Sequence, residues 1–361
     1  MVHVSLSRGF TSILDRQSCY ISGLAGTGKS YFMLKVTKEL EEQGVWVKKV
    51  AKCHVAALNV QGSTADAFLH KYQNGGFAQK KCCLVLEEVC VLDTRILQQL
   101  AKRKRMGIQY ICLGCPNQFK PIGNHFNGVP LDPDYEASVF LRVLCDGNRL
   151  HLTESMRSGE GVLWDFYSSI ALNGSRFSWD LRSKIAMAKA YFPYKGPTQW
   201  NLTVCHKKRV EINARLNKLW SQRKEVLWVE KSEKKAANEA QPYWLHEGLI
   251  LIVYLPSGVK RGCHNGQLLE VQGLPQEGMV PLRDIESKEE MTQPLEFVRD
   301  YLRLAYAFTG MGCQGRSLGN EATEEEPERG LTVHTDHYHF SWRHLFTGTS
   351  RCRSGRILQV I

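Results

Sequence analysis

The sequence lacks any apolar run long enough to span a bilayer. Its 361 residues contain no stretch near the ~18–20 consecutive apolar residues that a membrane-spanning helix requires. The opening segment, MVHVSLSRGFTSILDR, also lacks the uninterrupted apolar stretch and the small-residue cleavage site of a signal peptide. We therefore expect an intracellular protein that has no membrane partner.

The sequence also lacks the regular cysteine spacing of a disulfide framework. Its 12 cysteines are scattered irregularly along a long chain, which favours reduced thiols. Cys112 and Cys115 form a single CxxC pair, but no second pair of ligands stands at a convincing distance for a zinc site. Several histidines fall within residues 334–344, where the alternating HYHF is more typical of a strand with one polar face. Metal binding by these histidines is the minor alternative.

Acidic residues are in deficit. Lys and Arg number 47 and Asp and Glu number 36, which leaves a formal net charge of +11. Such an excess makes a polyanion a natural partner for some face of the molecule. The basic runs are spread out, for example KRKR at residues 102–105 and HKKR at residues 206–209, and solvated surface charge is the ordinary alternative for any one of them. The charge balance therefore suits a nucleic-acid partner without establishing one.

The run GLAGTGKS, residues 23–30, has the spacing of a phosphate-binding loop. Its glycines permit tight turns and close approach of backbone N–H groups to phosphate oxygens. Lys29 can reach the outer phosphates of a triphosphate, and the Ser30 hydroxyl can ligate Mg²⁺. A buried strand is predicted just before the loop and a helix over residues 31–44 just after it, as a phosphate-binding helix N-terminus requires. The residues assigned to nucleotide binding by this pattern are Gly23, Ala25, Gly26, Thr27, Gly28, Lys29 and Ser30.

The order of predicted elements indicates an α/β fold of about two domains. Up to about residue 150, apolar runs typical of buried strands alternate with helical patterns. A β-rich stretch follows later, with predicted strands at 248–255 and 267–274 that resemble a small barrel or hairpin insertion. Further strands are predicted at 301–308 and at the closing RILQVI. We expect domains at 1–150 and 151–361, with the β-rich insertion at about 222–300.

Two acidic residues end a predicted central strand. Glu87 and Glu88 close the apolar run CCLVLEEV, and Gln118 lies in the loop that leaves the next buried strand. Open α/β sheets place ligands at the carboxyl ends of their strands. Paired acids there can hold Mg²⁺ through its water shell and polarise an attacking water. Solvated surface acids are the alternative.

The order of motifs resembles superfamily 1 DNA helicases of the Pif/RecD type (superfamily 1B), from about Tyr20 to the C-terminus. GLAGTGKS is similar to their first motif, and AKCHVAALNVQGSTADAF at 51–68 is similar to APTGxAAxNIxGxTxHSF. LVLEEVCVLD resembles LVIDEISMLD, and GCPNQFKPI resembles GDxxQLPPV. LTESMR at 152–157 resembles LTxxFR. LAYAFTGMGCQGRSL resembles AYAITxHKSQGxTL, and LFTGTSRCRS at 345–354 resembles YVALSRVR. The length and divergence of the chain would suit a viral or mobile-element source.

The resemblance implies two RecA-like P-loop NTPase domains in tandem, a small β-rich insertion in the second, and ATP with Mg²⁺ between the domains. It implies that Glu88 is the general base and that Gln118 senses the γ-phosphate. Arg157 and Arg351 become arginine fingers from the second domain, and Gln314 and Gly315 lie near the nucleotide. Ser30 and Glu87 would hold Mg²⁺, Glu87 through water.

The resemblance also implies a single DNA strand, or a junction of single strand and duplex, as partner. Replication or repair proteins are further expected partners, with roles in replication, repair or recombination and a location in the nucleus, another DNA-containing compartment or a viral replication site. Cationic grooves with stacking aromatics hold single strands without sequence preference. The candidate strand-binding residues are Ala56, Asn59, Thr64, Phe68, His70, Lys71 and Phe126.

Several family positions are altered. Glu87 stands where the family has Asp, and Cys115 replaces the acid before Gln118. Met311 and Gly312 replace a His-Lys pair, and a glutamine that normally contacts adenine has no counterpart upstream of the P-loop. An ATP-dependent DNA helicase or translocase that tracks single-stranded DNA is the leading interpretation, and the altered positions argue against efficient unwinding. A weakened helicase core, acting as a nucleotide-gated nucleic-acid-binding module, and an RNA helicase are the alternatives.

Overall fold

The structure is a computed structural model, and it describes residues 2–4, 6–72, 81–131, 134–135, 137–157, 161–173, 180–233, 240–255, 259–324 and 327–361. Two compact units make up the chain. The first unit contains Met1–Lys184, Gln314–Arg316 and Ser341–Arg353, and the second contains Ile185–Cys313, Ser317–Phe340 and Ser354–Ile361. The domain boundary expected at residue 150 and the bounds of the insertion remain predictions.

Helices and strands alternate along the chain much as the apolar pattern predicts. The helices are α1 (Leu6–Leu14), α2 (Lys29–Glu42), α3 (His54–Asn59), α4 (Ala65–Lys71), α5 (Thr94–Arg103), α6 (Val139–Leu144), α7 (Val162–Asn173), α8 (Leu181–Tyr191), α9 (His206–Trp220), α10 (Leu295–Tyr301) and α11 (Trp342–Thr349). The first nine strands are β1 (Val2–Val4), β2 (Cys19–Gly23), β3 (Trp46–Ala51), β4 (Ser63–Thr64), β5 (Cys82–Glu87), β6 (Gln109–Gly114), β7 (His125–Phe126), β8 (Val129–Pro130) and β9 (Asn148–Leu152).

The later strands belong to the second unit. They are β10 (Trp200–Thr203), β11 (Leu227–Val229), β12 (Tyr243–Leu245), β13 (Ile250–Val253), β14 (Val259–Lys260), β15 (Cys263–His264), β16 (Leu268–Val271), β17 (Met279–Asp284), β18 (Glu290–Pro294), β19 (Leu302–Leu304), β20 (Ala307–Thr309), β21 (Leu331–Val333) and β22 (Leu358–Val360). Among the described ranges, none of these elements is a helix that combines the length and apolar character of a bilayer crossing.

The first unit is built on a seven-stranded parallel sheet, with strand order β1-β9-β2-β6-β5-β3-β4. Its central strands β2 and β6 are buried throughout, as continuous apolar runs in parallel sheets are. Hydrophobic clusters cover both faces, one including Leu84 and Leu100 and the other including Met33 and Leu40. The parallel arrangement brings the carboxyl ends of β2, β5 and β6 to one edge of the sheet.

Helix starts in the first unit follow their capping residues. The Asp93 carboxylate accepts a hydrogen bond from the Ile96 N–H at 2.9 Å, so α5 begins directly after it. Thr64 caps α4 in the same way by accepting from the Ala67 N–H. Both caps are of the usual kind, because short polar side chains satisfy the first free N–H groups of a helix.

The second unit combines two sheets. A four-stranded parallel sheet has the order β20-β10-β21-β22. A five-stranded antiparallel sheet has the order β18-β17-β16-β13-β19 and is the β-rich insertion that the sequence predicts. Residues 234–239, within the charged segment before it, lie outside the described residues.

One predicted strand is wrong. The run at 301–308 is not a continuous strand, because β19 pairs antiparallel with β13 while β20 pairs parallel with β10 in the other sheet. The break is stabilised by Asn213 of α9, which is completely buried. Its amide donates to the Leu304 carbonyl at 3.1 Å and accepts from the Ala307 N–H at 2.8 Å. A buried side chain therefore satisfies the backbone groups that the change of sheet frees.

The HYHF segment also differs from its prediction. Residues 337–340 form a turn after β21 rather than a strand. The His337 Nδ1 accepts a hydrogen bond from the His339 N–H at 3.1 Å, which stabilises the turn. Alternation of polar and apolar residues over four positions is too short a signal to distinguish the two structures.

We expect the buried strands of the first sheet to dominate the stability of that unit. Leu84 of β5 has no exposed surface, so Leu84→Ala should lower the free energy of unfolding by about 2–5 kcal/mol. Leu34 of α2 is 46% exposed, and Leu34→Ala is the matched control, with an expected change within about 0.5 kcal/mol. Urea unfolding monitored by circular dichroism measures both. Equal losses in the two variants would contradict this assignment of the core.

Candidate functional site

The loop between β2 and α2 has the backbone of a phosphate-binding loop. Gly26 and Gly28 have φ values of +85° and +79°, in the left-handed region that side chains rarely adopt. A Cβ on Gly26 would lie 2.9 Å from the Cβ of Arg157, and a Cβ on Gly28 would lie 3.2 Å from Met156. The Met156 N–H also donates to the Gly26 carbonyl at 2.8 Å. Conformation therefore favours glycine at both positions, and at Gly26 the close approach of Arg157 also leaves no space for a side chain.

Lys29, the first residue of α2, is folded back over this loop. Its Nζ donates to the carbonyls of Gly23 and Leu24 at 3.0 and 2.7 Å. Burial lowers the pKa of Lys29, against the opposing effect of Cys115 and Glu87. The Thr27 hydroxyl closes the loop from within by donating to the Leu24 carbonyl at 2.9 Å. The ammonium is thus held at the start of a helix, where an anion is favoured.

Ser30 and Glu87 are brought together by the parallel sheet. The Ser30 hydroxyl donates to Glu87 Oε1 at 2.7 Å, although 57 residues separate them in sequence. Glu87 Oε2 is buried and makes no hydrogen bond with the described residues. Burial raises the pKa of Glu87, and the Ser30 bond and Lys29 oppose that rise. A hydroxyl and a carboxylate at this separation form an oxygen donor pair of the kind that Mg²⁺ prefers.

Glu88 lies beside Glu87 in a left-handed conformation, with φ of 50°. Burial raises its pKa from 4.5 to about 7, and neighbouring Glu87 adds to the rise. Arg351 and Lys29 oppose it, as does a backbone hydrogen bond from Gly315. Its Oε2 is buried without a partner in the described chain. A carboxylate with a pKa near neutrality, beside a phosphate-binding loop, is suited to general base chemistry.

Two arginines lie at the same edge of the first unit. Arg157 donates to the Ser350 carbonyl at 3.0 Å. Burial and the charge of Arg351 lower the pKa of Arg157 to about 10. Arg351 is 3% exposed and donates through Nη1 to the Arg316 carbonyl at 3.3 Å, while its Nη2 makes no hydrogen bond to any described residue. The two guanidinium groups are therefore close enough to affect each other and Glu88.

Gln118 and Gln314 meet in this region as well. Gln314 Nε2 donates to Gln118 Oε1 at 3.4 Å, and both side chains are buried. Gly315 packs against Ala56, because a Cβ at position 315 would lie 3.4 Å from the Ala56 Cβ. Gln314 and Gly315 come from the three-residue segment Gln314–Arg316 that the first unit contains. The predicted nucleotide-contacting residues therefore converge, although their roles remain predictions.

Four buried polar atoms of this cluster have no hydrogen-bond partner among the described residues. They are Glu87 Oε2, Glu88 Oε2, Gln314 Oε1 and Arg351 Nη2. Unpaired buried groups are costly and uncommon in proteins, and their concentration beside one loop indicates a site whose polar groups await a ligand. The set contains acceptors for a hydrated cation and a donor for an anion.

The residues assigned to a nucleic-acid strand are found in different environments. Ala56 is 2% exposed and Phe68 is 3% exposed, with the Phe68 ring in the core beside Tyr72. His70 and Lys71 are exposed at the end of α4, and Phe126 is 67% exposed on the β7–β8 hairpin. The exposed three are the better candidates for contact with a strand, and the assignment stays a prediction.

For two other candidates, Thr64 and Asn59, the surroundings do not indicate whether they contact a strand. Thr64 is the cap of α4, and Asn59 ends α3, but its side chain lies outside the described residues. Asp66, which stands where the family motif has His, pairs with Arg95 at 3.0 Å. Gly312 lies in the turn Gly310–Cys313, where the side chain of Met311 falls outside the described residues.

Some site residues are missing from the sequence prediction. The Tyr167 hydroxyl donates to the Ala25 carbonyl at 3.1 Å and supports the P-loop from α7. Arg343 of α11 donates to the carbonyls of Pro116, at 2.6 Å, and Gln118. Neither position belongs to one of the motifs in the sequence, so no local signal identifies them.

The parallel sheet, the P-loop and the acids at the strand end define the class of a P-loop NTPase. Residues 10–129 match the family described as "AAA domain". No curated protein matches the chain.

The particular likeness is to Pif1 helicases. The crystal structure of the Pif1 helicase from Candida albicans matches with a TM-score of 0.69 at 16% identity, covering 100% of this chain and 95% of that one. Bacteroides Pif1 bound to ssDNA matches with a TM-score of 0.66 at 16% identity, and the Bacteroides complex with ADP-AlF3 and ssDNA with 0.64 at 17%. Each of these two matches covers 100% of this chain and 92% of the other. The likeness confirms the expected fold of two RecA-like domains with a β-rich insertion.

We expect ionisation of the buried Glu88 to lower the free energy of unfolding of the protein as the pH rises. Its folded pKa of about 7 exceeds its unfolded value of 4.5. The folded state therefore binds more protons between these values, and stability is lost as the pH rises through that window. At pH 8, Glu88→Gln should be more stable than the wild type by about 1–3 kcal/mol. At pH 4.5 the two should be nearly equal.

Denaturant unfolding at both pH values measures this difference. Glu39→Gln, at an exposed position of α2, is the matched control and should follow the wild-type profile. A Glu88→Gln variant that is less stable than the wild type at pH 8 would contradict the burial of a costly carboxylate.

Proposed function

We propose that the protein is an ATP-dependent DNA helicase or translocase that tracks single-stranded DNA. The observation that carries the proposal is the convergence, around one phosphate-binding loop, of buried groups of both charges, several with atoms that make no hydrogen bond to the described residues. Lys29 and Arg351 supply positive charge, and Glu87 and Glu88 supply acids, one of them with a pKa near neutrality. This is the set of groups that hydrolysis of a nucleoside triphosphate needs. The ordered motifs and the fold support the same conclusion.

The residues present fit a bound Mg²⁺. Ser30 Oγ and Glu87 Oε1 lie 2.7 Å apart, and the second Glu87 oxygen is buried without a partner in the described chain. Ser30 and Glu87 would hold the ion, Glu87 through water. The ion would neutralise charge on the phosphate oxygens of ATP. Glu87 carries one methylene more than the family's Asp, which is compatible with contact through water.

The other residues of the cluster act on the substrate directly. The P-loop amides and Lys29 bind the phosphates of ATP. Glu88 accepts a proton from the attacking water, for which a pKa near 7 is well matched. Gln118 and Gln314 orient the γ-phosphate and the water, while Arg157 and Arg351 stabilise charge that develops on the transferred group. Hydrolysis releases ADP and phosphate.

DNA is the proposed polyanion. Two relatives of the same fold are described as bound to ssDNA, and this chain has a net charge of +11. Exposed His70, Lys71 and Phe126 offer cationic and aromatic contacts in the first unit. Residues 1–150 and 151–361 would be the two RecA-like domains. Replication or repair proteins would be partners, in a DNA-containing compartment.

We expect Lys29→Ala to lower DNA-stimulated ATP hydrolysis by at least about 100-fold, because the ammonium that binds the outer phosphates is lost. Lys35→Ala is the matched control, since Lys35 is exposed on the same helix and lies over the Tyr31 ring at 4.7 Å. Phosphate release, measured with poly-dT and with poly-U, should be stimulated more by poly-dT. Unchanged hydrolysis in Lys29→Ala would refute the enzyme, and stronger stimulation by poly-U would favour an RNA helicase.

A weakened helicase core is the second candidate, and Cys115 favours it. This residue is 3% exposed, and burial raises the pKa of its thiol, so a neutral group stands where the family has an acid. Such a protein would bind nucleotide and nucleic acid with little turnover.

Restoring the family acids distinguishes the two candidates. For an adapted enzyme we expect no gain in ATP hydrolysis from Glu87→Asp combined with Cys115→Asp, because a further buried carboxylate beside Glu88 is costly. Cys115→Ser is the neutral control and should stay within about threefold of the wild type. A gain of tenfold or more in the restored variant, with Cys115→Ser unchanged, would establish the weakened core instead.

A further inference from the structure

A second concave site lies in the second unit, at the carboxyl ends of three parallel strands. Two adjoining cavities of 240 and 140 Å³ share the side chains of Lys208, Glu211, His334 and Asp336. β10, β21 and β22 are neighbours in one sheet, and α9 begins directly after β10. Ligands of α/β folds bind at this edge of a sheet. The larger cavity is below the ~300 Å³ of a typical ligand pocket, so it suits one ring system.

His334 lines both cavities, and its hydrogen bond to Asn201 determines its tautomer. The Asn201 amide donates to the carbonyls of Thr198 and Tyr306, both at 3.1 Å, so its Oδ1 must be the acceptor for His334 Nε2 at 3.0 Å. The proton of the neutral ring is therefore on Nε2, and Nδ1 is an acceptor. Burial lowers the pKa of His334 to about 4, so the ring is neutral at physiological pH.

The His334 ring and two carboxylates line this site together. His334 is 5% exposed and lines both cavities, and its Nε2 is the ring atom bonded to Asn201. Nearby, the Asp336 carboxylate pairs with Lys208 at 3.1 Å and Glu211 lines both cavities. These side chains call for a ligand with N–H donors on one edge.

The apolar and cationic residues that line the cavities indicate what other chemical groups the ligand carries. Ile212 and Ile361 supply apolar walls in the larger cavity, and Val204 does so in the smaller one. Lys207 is exposed at the first turn of α9 and lines the smaller cavity, where an anion is favoured. A flat heterocycle would pack against the apolar walls, and N–H groups on its edge would donate to the acceptors. A phosphate joined to it would lie near the lysines.

An aromatic platform adjoins the smaller cavity. His337 lines that cavity and stacks on Tyr338, with ring centroids 4.6 Å apart. Tyr338 is 85% exposed. The ring of His339 also lies against Tyr338, with 3.9 Å between the two ring centroids. Exposed stacked rings beside lysines are the usual surface for single-stranded nucleic acid.

We propose that this site binds one unstacked base of a single nucleic-acid strand, with the base edge against His334 and the adjoining bases on the His337–Tyr338 platform. The choice of a strand as the source of the base rests on the proposed function. Since the His334 Nδ1 accepts, a base with an exocyclic amine is preferred. Cytosine has an amino donor at the ring position where thymine has a carbonyl acceptor, so the site discriminates between these two pyrimidines of similar size.

Fluorescence anisotropy with labelled (dC)12 and (dT)12, without ATP at pH 7.5, tests the proposal. We expect the wild type to bind (dC)12 about three- to tenfold more tightly, the discrimination that one hydrogen bond supplies. His334→Leu should lose that preference. His264→Leu, at a histidine of the same unit that does not line the cavities, is the matched control and should keep it.

Two further measurements keep the test independent of folding. Asp336→Asn, at a side chain that is 58% exposed, should reduce the preference while leaving the circular dichroism spectrum unchanged. In the wild type, the ¹⁵N resonance of His334 Nδ1 should shift on addition of (dC)12, which a purely structural histidine would not show. An unchanged resonance together with equal affinity for (dC)12 and (dT)12 would overturn the proposal.

The source of the base is tested by adding dCMP alone. Much weaker binding of dCMP than of (dC)12 supports a strand, and equal affinities would overturn the strand assignment in favour of a free nucleotide. DNA-stimulated ATP hydrolysis is measured in parallel. Loss of that stimulation with the cytosine preference intact would count against the proposed function and not against this site. Intact stimulation with no preference would count against this site alone.

Discussion

The burial of opposite charges around the P-loop is the constraint on which the first unit depends. Lys29, Glu87, Glu88 and Arg351 are all withdrawn from water, and each opposes the desolvation of another. An isolated buried charge is costly, so the basic and the acidic members must be positioned together. A parallel sheet with helices starting at one edge meets that requirement. The cost that remains is typical of a site adapted to a ligand rather than to stability.

Close backbone approach sets the geometry of this cluster. Gly26 lies directly against Arg157, where a Cβ would come within 2.9 Å. The Arg157 guanidinium in turn donates to the Ser350 carbonyl next to Arg351. The absence of a side chain at one position thus allows an arginine more than 100 residues away to lie beside the loop. Because the P-loop backbone packs directly against Arg157, a shift of the loop also shifts the charged groups.

The apolar pattern predicts most of the fold correctly, and its errors have physical causes. It predicts the central strands, because each is a continuous apolar run. It fails at 301–308, where Asn213 lets one apolar run serve two sheets. Sequence likewise proposes Phe68 for base contact, whereas packing puts the ring in the core. Local pattern cannot show which partner an apolar side chain takes.

The sequence by itself determined the phosphate-binding loop and the acids at the end of β5, since both depend on conformational preferences within a few neighbouring residues. The motif resemblance predicts that Arg157, Gln314 and Arg351 serve one nucleotide, but only the tertiary structure shows which groups they contact, because contacts between distant segments depend on the packing of whole elements. The tertiary structure also decided the tautomer of His334, through an amide from another strand. Hydrogen bonds and burial between remote residues are properties of the folded chain, and they convert a motif into a site.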